Sequence, residues 1–471
     1  MKKKLVCFLT AALALLMSFS MFAGCGKKKG DAISIFVYGQ SHELTIYKAL
    51  INKFTEETGI KVEANLVPSD NYAEKLTAAI GTKNCPDVFY ADPGAIAGYV
   101  NNDLILPLDE LLEEEKNSGG FDYNDYIDGV LDYYKYDAET HTRGGDGNIY
   151  AVPKDVSAYP MCYNRIVVQK AIDAGRWPAD LPKPWEMVDD EGNAIAYTWE
   201  QFEKACEACY FTDGGKKYFG TGLIDTYAMH SWIWTAGGDY LSADKKNVTV
   251  NETKFITGLQ RFIDLMDQKG VSPNRLEMSD NSYYNRWLAG EIAFFNCGVW
   301  DVGAFEGVAK TTLDYSLMPA PRKDENSEWY SYIGTLGYAV SSRSKKPDAA
   351  LKLAMYMGLS DESYERMSKR QVIQLPNSKK KVAEFLSDTS VKAPANRKLF
   401  YDVIESHGKT YPTAFTYDAT WYNKFIDGLS DCWKADDNSS AKKTVSDYCA
   451  SIQSAMQDEL NNGINNELQG L

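Results

Sequence analysis

The sequence places polar side chains directly after two segments that have the composition of β-strands. Gln40 and Glu43 follow the first segment, residues 33–38 (ISIFVY), and Asp92 ends the second, residues 87–92 (DVFYAD). Because the carboxyl ends of parallel strands face the crevice in which an open α/β sheet binds its ligand, we predict that these three side chains contact a small molecule. Glu43 also suits the first turn of a helix, where its charge favours the helix dipole, and this alternative stays open.

Paired carboxylates could also catalyse hydrolysis of a glycosidic bond. Such an enzyme needs two carboxylates about 5–10 Å apart, and 65 Asp and Glu residues leave room for a pair. No GxSxG, HExxH or Walker-type motif is present, and the four histidines are scattered. The acidic segment 189–193 (DDEGN) does not have the spacing of an EF-hand loop. We therefore predict a protein that is not an enzyme, with no cofactor and no metal. Ca²⁺ binding by the loop 189–193 and a glycoside hydrolase activity stay open as alternatives.

Cys25 is the residue whose surroundings most clearly predict a covalent modification. It follows Ala23 and Gly24, behind three lysines and the apolar run 5–22. This order resembles a bacterial lipobox, in which the cysteine thiol is acylated and becomes the new N-terminus. We predict that residues 1–24 are a lipoprotein signal peptide, that Cys25 is lipidated and that 25–30 form a tether. More than one acyl chain would then hold the protein on the outer face of the cytoplasmic membrane.

The net charge of the chain limits the kinds of molecule that it can bind. The chain carries 50 basic and 65 acidic residues, a net charge of −15, which argues against nucleic acid as a partner because phosphate contacts need clustered Lys and Arg.

Seven cysteines follow Cys25, an odd number that cannot all pair in disulfides. Cys206 and Cys209 form a CxxC motif inside an amphipathic helix pattern, with no second CxxC to complete a zinc set. We predict that both are packed in a core.

The order of secondary structure predicts an α/β protein. Thr198 and Gln201 have the spacing of a capping box at a helix start. The pattern of the acidic and aromatic stretch 111–137 predicts a helix with one solvent-exposed face. The pattern of 420–460 predicts a mostly helical segment. Near the start, strand and helix patterns alternate, which implies parallel βαβ units: strands at 33–38, 60–67 and 87–92, with helices at 43–57 and 72–80 that end at Gly59 and Gly81.

Eight segments after Cys25 resemble, in this order, the family 1 extracellular solute-binding lipoproteins of carbohydrate ABC importers, which include maltose-binding protein. Each segment is weak alone, and their common order makes the resemblance specific. They are ISIFVYG at 33–39, DVFYADPGAIAGYV at 87–100, LILPLDELL at 104–112, GNIYAVPKD at 147–155, WTAGGDYLS at 234–242, LAGEIAFFNCGVWDV at 288–302, DYSLMPAPR at 314–322 and GTLGYAVSSRSKKPDAALKLAMYM at 334–357.

The resemblance implies a type II periplasmic-binding-protein fold of class α/β. Two lobes, each with a central mixed sheet flanked by helices, are joined by a hinge that the chain crosses near 153–156, 334–337 and 376–380. Lobe 1 is expected at 31–154 plus 336–378, and lobe 2 at 155–335 plus 379–471. A monomer would bind a sugar or oligosaccharide between the lobes, close over it and deliver it to the ABC permease. A sensing module for a membrane kinase, or a receptor for a peptide, polyamine or phosphate ester, remain alternatives.

The resemblance also implies which side chains hold the ligand. Aromatic rings match the apolar C–H faces of a sugar, and a few polar groups pair with its hydroxyls. Trp300 matches the family motif Gly-x-Trp that lines the cleft. Asp92 matches a sugar-binding Asp, although Pro93 follows it where maltose-type relatives have Arg. The remaining expected contacts are Trp421 before a helix, Ser157 beside the hinge, Tyr227 and Trp232 as a wall of lobe 2, and Trp329 and Tyr332 as a roof.

Overall fold

A computed structural model of the chain describes residues 32–68, 72–391, 394–434 and 438–469. The predicted signal peptide, Cys25 and the tether lie outside the described residues. Within these ranges no helix is both long and apolar enough to cross a bilayer.

The chain alternates short strands and helices through most of its length. The strands are β1 Ile33–Tyr38, β2 Val62–Val67, β3 Val88–Ala91, β4 Lys135–Asp137, β5 Thr142–Arg143, β6 Asn148–Ile149, β7 Ala151–Tyr159, β8 Met161–Asn164, β9 Phe211–Asp213, β10 Lys216–Thr221, β11 Ile292–Asn296, β12 Tyr315–Met318, β13 Ser331–Val340 and β14 Gly408–Thr410. The helices are α1 Ser41–Thr58, α2 Tyr72–Ala79, α3 Ile96–Asn101, α4 Asp109–Asn117, α5 Arg165–Asp173, α6 Trp199–Ala208, α7 Asp225–Thr235, α8 Thr253–Ile263, α9 Arg275–Asp280, α10 Tyr283–Leu288, α11 Val302–Glu306, α12 Pro347–Leu359, α13 Asp361–Ser363, α14 Lys379–Ser387, α15 Lys398–Asp402, α16 Thr420–Gly428 and α17 Val445–Gln469.

The first sheet has the order β14-β13-β3-β1-β2, with β7 also paired to β13. Strand β1 is parallel to both β2 and β3, and β13 is antiparallel to β3. Helix α1 buries Tyr47, Leu50 and Phe54 and ends at Gly59, whose φ of 73° is the left-handed conformation that glycine adopts at a helix C-terminus. The predicted βαβαβ start of the chain is therefore confirmed.

The second sheet has the order β12-β8-β11-β10-β9. Strand β10 is parallel to β11, and β8 is antiparallel to both β11 and β12. Helix α6 flanks β10 and begins with the predicted capping box: the Gln201 N–H donates to Thr198 Oγ1 over 3.2 Å, and the Thr198 N–H donates to Gln201 Oε1 over 2.8 Å. Cys206 and Cys209 are fully buried in this core, as predicted, and burial raises the pKa of both thiols.

The buried apolar side chains form two separate cores, one around each sheet. The first core draws on residues 33–156 and 338–373, and the second on residues 158–333 and 364–460. The chain therefore folds into two α/β lobes, which we call lobe 1 and lobe 2 after these cores. A small third sheet, β5-β4-β6, belongs to lobe 1.

Two long antiparallel strands, β7 and β13, run from one lobe into the other. Their register shifts between Leu336 and Gly337. A third segment crosses beside them, where Asn377 Oδ1 accepts the Val156 N–H over 3.1 Å and Asn377 Nδ2 donates to the Lys154 carbonyl. A Cβ at Gly337 would lie 2.5 Å from the Tyr134 ring, so glycine here provides room for a tyrosine.

One stretch differs clearly from the predicted secondary structure. The expected helix over 111–137 is replaced by α4, two 3-10 turns at Tyr123–Asp125 and Val130–Tyr134, and strand β4. Gly119 and Gly129, at φ values of 81° and 78°, interrupt the helix in a conformation that other residues seldom adopt. In the last stretch, α16 ends at Gly428 and α17 starts only at Val445, so 420–460 is helical in two separate parts.

Candidate functional site

A cavity of about 820 Å³ lies between the two lobes, against the β7 and β13 crossings. Lobe 1 contributes the residues that follow β1 and β3, lobe 2 contributes parts of α7, α10 and the turn after β11, and the crossing strands β7 and β13 form the floor. Of the ten side chains predicted to bind a ligand, seven line this cavity: Gln40, Glu43, Asp92, Ser157, Tyr227, Trp300 and Tyr332.

Three predicted aromatics do not line the cavity, and their expected position at the cleft is wrong. Trp232 is 2% exposed and packs against Phe262 at 5.4 Å between ring centroids. It lies where α7 approaches α8 closely, because Gly258 carries no Cβ, which would lie 2.5 Å from Ile233 Cα. Trp329 instead stacks on His407 at 3.9 Å between ring centroids.

Trp421 is the third displaced aromatic. It is 1% exposed, and its Nε1 donates to Thr416 Oγ1 over 3.1 Å. It borders a different cavity, of about 610 Å³, between the β4–β5 region of lobe 1 and the end of α17. The helical position of Trp421 resembled that of a cleft residue in the family, but the loop before α16 directs its ring into the lobe 2 core.

An aromatic wall from lobe 2 and the hinge forms one side of the cleft cavity. The Trp300 ring stacks on Tyr159 with centroids 5.5 Å apart and planes at 13°. Tyr227 contacts the same Tyr159 at 4.9 Å and Tyr332 at 5.1 Å. A Cβ at Gly298 would lie 2.4 Å from the Trp300 indole, so glycine two residues before the tryptophan lets the ring fold over the turn. The Gly-x-Trp motif thus has a steric basis in this chain.

Lobe 1 adds tyrosines that the sequence analysis did not single out. Tyr38, Tyr47 and Tyr90 all line the cavity, and Tyr38 packs edge-on against Tyr90 at 5.3 Å. Burial raises the pKa of all three phenols, so they stay protonated and able to donate. The signal that could have found Tyr90 is its spacing: it precedes Asp92 by two residues, and alternate residues of a strand face the same side.

Lys154 and Asp155 form a buried ion pair at the floor of the cavity. Lys154 Nζ lies 2.6 Å from Asp155 Oδ2, and the two side chains are 7% and 11% exposed. Burial is the largest single influence and lowers the pKa of Lys154, but Asp155, Tyr47, Glu43 and Tyr338 together outweigh it, and the pKa lies well above its usual range. The pair is therefore charged, and each member neutralises the other.

Three further carboxylates reach the cavity. Glu43 Oε2 accepts the Gln40 N–H over 2.6 Å, so this side chain both caps α1 and lines the cleft, and the two alternatives for Glu43 are compatible. Asp301 is 7% exposed, and its Oδ2 accepts the Gly298 N–H over 3.0 Å. Burial raises the pKa of Asp301 to about 7 despite that bond, and the charge of Glu43 adds to the rise. Asp92 also lines the cavity, and burial raises its pKa.

The described residues offer little to a metal ion. They contain no group of three or more His, Cys, Asp and Glu side chains placed to bind one. In the acidic loop considered for Ca²⁺, Asp189 instead accepts the Asn193 N–H over 2.7 Å and the Glu191 N–H over 3.0 Å. The cleft therefore offers aromatic faces, donors and carboxylates, which suit a ligand with both apolar faces and hydrogen-bond donors.

Comparison with known proteins agrees with this geometry. Residues 38–362, which span both lobes, match the model of the bacterial extracellular solute-binding protein family. A galactooligosaccharide-binding protein of Bacillus subtilis is 21% identical over 384 residues, 78% of each chain. An ABC substrate-binding protein of Listeria monocytogenes, solved in complex with cycloalternan, superposes with a TM-score of 0.72 at 18% identity over 91% of this chain and 99% of its own.

A solute-binding protein of an ABC transporter from Thermotoga lettingae, bound to α-D-tagatose, superposes with a TM-score of 0.69 at 18% identity. The alignment covers 92% of this chain and all of the other. These matches confirm the two-lobed fold implied by the sequence motifs. With its family match over more than half its length, the chain belongs to the bacterial extracellular solute-binding proteins.

Proposed function

We propose that the protein is the extracytoplasmic receptor of a carbohydrate ABC importer. It binds a sugar or oligosaccharide in the cleft cavity and delivers it to the permease when the lobes close. The observation that carries this proposal is a cavity of about 820 Å³ between two lobes, lined by an aromatic wall from lobe 2 and by carboxylates from both lobes. The names of the relatives support it, since one binds galactooligosaccharides and two were solved with cycloalternan and tagatose.

The cleft residues divide the work of holding a sugar. Trp300 and Tyr227 offer ring surfaces to the apolar C–H face of the sugar, and Tyr332 extends that surface toward the hinge. Asp92 and Glu43 accept hydrogen bonds from hydroxyl groups on the opposite side. A sugar hydroxyl that is buried without a hydrogen-bond partner costs binding free energy. The site therefore selects sugars whose hydroxyl groups can pair with the side chains of the cleft.

Ligand binding and lobe closure are linked because the two sides of the cavity belong to different cores. Trp300 is carried by the lobe 2 sheet and Asp92 by the lobe 1 sheet. A ligand that contacts both residues binds more tightly when the lobes lie close together than when they are apart. This difference in affinity shifts the population toward the closed form. The closed monomer then presents to the permease a surface that the open form lacks.

The proposal is tested by a thermal-shift screen of the soluble chain from Gly26 onward against mono- and oligosaccharides. A ligand that binds only the folded state stabilises it by about 2.7 kcal/mol at a hundred times its Kd. We expect one class of sugar to raise the melting temperature and to be recovered unchanged by chromatography. Consumption of the sugar would favour the hydrolase alternative, and silence across the panel would favour a peptide or another solute.

The lipid anchor is tested separately, because it depends on Cys25 alone. Wild-type protein should fractionate with the membrane of the producing bacterium. The Cys25→Ser variant should be released, since it has no thiol to acylate. Lys28→Ser, which changes the tether and keeps the cysteine, is the control and should stay with the membrane. A Cys25→Ser protein that stays membrane-bound would contradict the lipoprotein proposal and leave the binding function untouched.

A further inference from the structure

The charges that line the cleft cavity do not balance. Four carboxylates line it, from Glu43, Asp92, Asp155 and Asp301, and among the described lining residues Lys154 supplies the only Lys or Arg charge. Lys154 is paired with Asp155 at 2.6 Å. Glu43, Asp92 and Asp301 therefore have no Lys or Arg of their own among the described lining residues, where His42 is the remaining side chain that can become cationic.

These three carboxylates lie on both sides of the cleft. Glu43 and Asp92 belong to lobe 1, whereas Asp301 follows β11 of lobe 2 and is 7% exposed. The charge of Glu43 reaches Asp301, because it contributes to the rise in the Asp301 pKa after burial itself. Closing the lobes on a neutral ligand would remove water from carboxylates of like charge, which is unfavourable unless they take up protons or a cation accompanies them. A cationic ligand supplies that charge directly.

A second observation in the same cavity is independent of the acids. Ser157 lies on β7, is 4% exposed, and its Oγ has no hydrogen-bond partner among the described atoms. Buried hydroxyls are normally paired, so an unpaired one in a cavity wall indicates that a ligand supplies its partner. Ser157 can accept an N–H or O–H, as the three carboxylates can.

We propose that the ligand is an amino sugar, or an oligosaccharide that contains one, whose protonated amine lies among Glu43, Asp92 and Asp301. This inference rests on the proposed function. An ammonium group supplies three N–H donors and a full positive charge, whereas a hydroxyl supplies one donor and no charge. The aromatic wall of Trp300 and Tyr227 fits the ring of such a sugar, and its π faces also attract a nearby cation.

Other cations fit the cavity less well. The described residues provide no group of three or more side chains arranged to bind a metal ion, so the cavity offers no ready coordination shell for a bare metal ion. An aliphatic polyamine has the charge but no ring face for the stacked Trp300 and Tyr159 wall. A phosphate ester has charge of the wrong sign for three carboxylates.

The inference is tested by calorimetric titration of the soluble chain from Gly26 onward with matched oligosaccharides at a pH where the amine is protonated. The probes are β-1,4-linked tetramers of glucosamine, N-acetylglucosamine and glucose, the corresponding galactosamine and galactose pair, and spermidine. We expect an amino form to bind at least tenfold more tightly than its hydroxyl and N-acetyl counterparts. Spermidine should bind more weakly than that amino form.

Substitutions of the cleft carboxylates test which of them cause the preference for the amino form. Asp92→Asn and Asp301→Asn keep the shape of the side chain and remove its charge, so each should reduce the ratio of amino-form to neutral-form affinity toward one. Asp361→Asn, whose side chain is 90% exposed and outside the cavity, should leave the ratio unchanged. Melting curves confirm that each variant is folded.

The possible outcomes separate the two proposals. Neutral sugars that bind as tightly as amino sugars would overturn this inference and leave the carbohydrate receptor intact. Spermidine that binds as tightly as the best amino sugar would overturn the amino-sugar assignment in favour of a polyamine. Failure of every sugar, neutral or amino, to bind would overturn the proposed function and this inference together.

Discussion

At the scale of single residues, replacing Trp300 is the most direct test of the ligand contacts in the cleft. Its ring lines the cavity and is held by stacking on Tyr159 at 5.5 Å. Trp300→Ala removes the ring surface that a sugar covers, so we expect a loss of about 1–3 kcal/mol, ten- to a hundredfold in Kd. Calorimetry with the sugar that the thermal-shift screen identifies measures this loss.

The matched control for Trp300 is Trp185→Ala. Trp185 lies outside the cavity and stacks against Arg165, 4.5 Å from the ring centroid to the guanidinium. Its replacement should change the melting temperature without changing the Kd. An unaltered Kd in folded Trp300→Ala would mean that Trp300 serves packing only.

Asp301 should give the unliganded protein a distinctive dependence of stability on pH. Burial, and to a smaller extent the charge of Glu43, raises the pKa of folded Asp301 to about 7. The pKa of an Asp in the unfolded chain is about 3.9. Between these two values the folded state keeps a proton that the unfolded state has released. The free energy of unfolding contributed by Asp301 is therefore greatest below this window and is lost as pH rises through it to about 7.

Urea unfolding of the unliganded protein from acid to neutral pH measures this contribution. Asp301→Asn removes the titrating group, so its stability should fall less steeply across the window than that of the wild type. Asp128→Asn is the control, since the Asp128 side chain is 92% exposed. Parallel profiles for wild type and Asp301→Asn would show that Asp301 titrates normally.

Residue types and local spacing were enough to predict most of the cleft. Gln40, Glu43 and Asp92 follow from one rule about strand ends, and all three line the cavity. Trp232 and Trp421 could not be placed in this way. Trp232 lies within α7 and Trp421 near the start of α16. Which way each ring turns depends on contacts outside its own helix, such as the close approach of Gly258 and the hydrogen bond to Thr416.

At the scale of elements, the end of α17 forms a connection between the lobes that the sequence did not predict. Helix α17 packs its middle in the lobe 2 core, while Glu467 reaches lobe 1 and pairs with Arg143 at 3.0 Å. Tyr136 of β4 also donates to Glu467 over 3.1 Å. Arg143 and Glu467 are 324 positions apart in the sequence, so no local pattern could reveal that they meet.

Glu467→Gln should destabilise the protein, because it leaves the Arg143 guanidinium without its counter-charge in a site where the two side chains are 14% and 9% exposed. Removing one partner of a buried pair costs about 3–5 kcal/mol, and partial exposure places this pair at the lower end. Thermal unfolding measures the change. Asp402→Asn breaks the exposed Lys398 pair and is the control, with an expected cost of about 0–1 kcal/mol.

A Glu467→Gln protein as stable as the control would contradict this assignment of the α17 end. The double variant Arg143→Met, Glu467→Met separates the pair from its surroundings. If the charge left unpaired is what destabilises the single variant, the double variant should recover part of the lost stability.

Elements with a clear period were predictable, and elements that depend on tertiary contacts were not. The capping box at Thr198 and the C-terminal glycine of α1 are local arrangements of a few residues, and the structure confirms both. The stretch 111–137 has an apolar spacing that fits a helix, but the glycines at 119 and 129 and the pairing of β4 with β5 and β6 override it.

At the scale of the whole molecule, the proposed delivery to a permease depends on how the two lobes are arranged around the ligand. The cleft has Trp300 on one core and Asp92 on the other, and three chain segments connect the lobes at its floor. Because a ligand that contacts both lobes favours their approach, saturation with that ligand should reduce the radius of gyration measured by small-angle X-ray scattering.

The same measurement distinguishes a weakened site from a blocked hinge. Trp300→Ala lowers affinity but leaves the hinge strands β7 and β13 intact, so at saturating sugar it should reach the same compact radius as the wild type. A sugar that does not raise the melting temperature is the control and should leave the radius unchanged. If the radius stayed constant while calorimetry showed saturation, the ligand would bind without closing the lobes, and the permease would have to recognise the bound state by other means than interlobe closure.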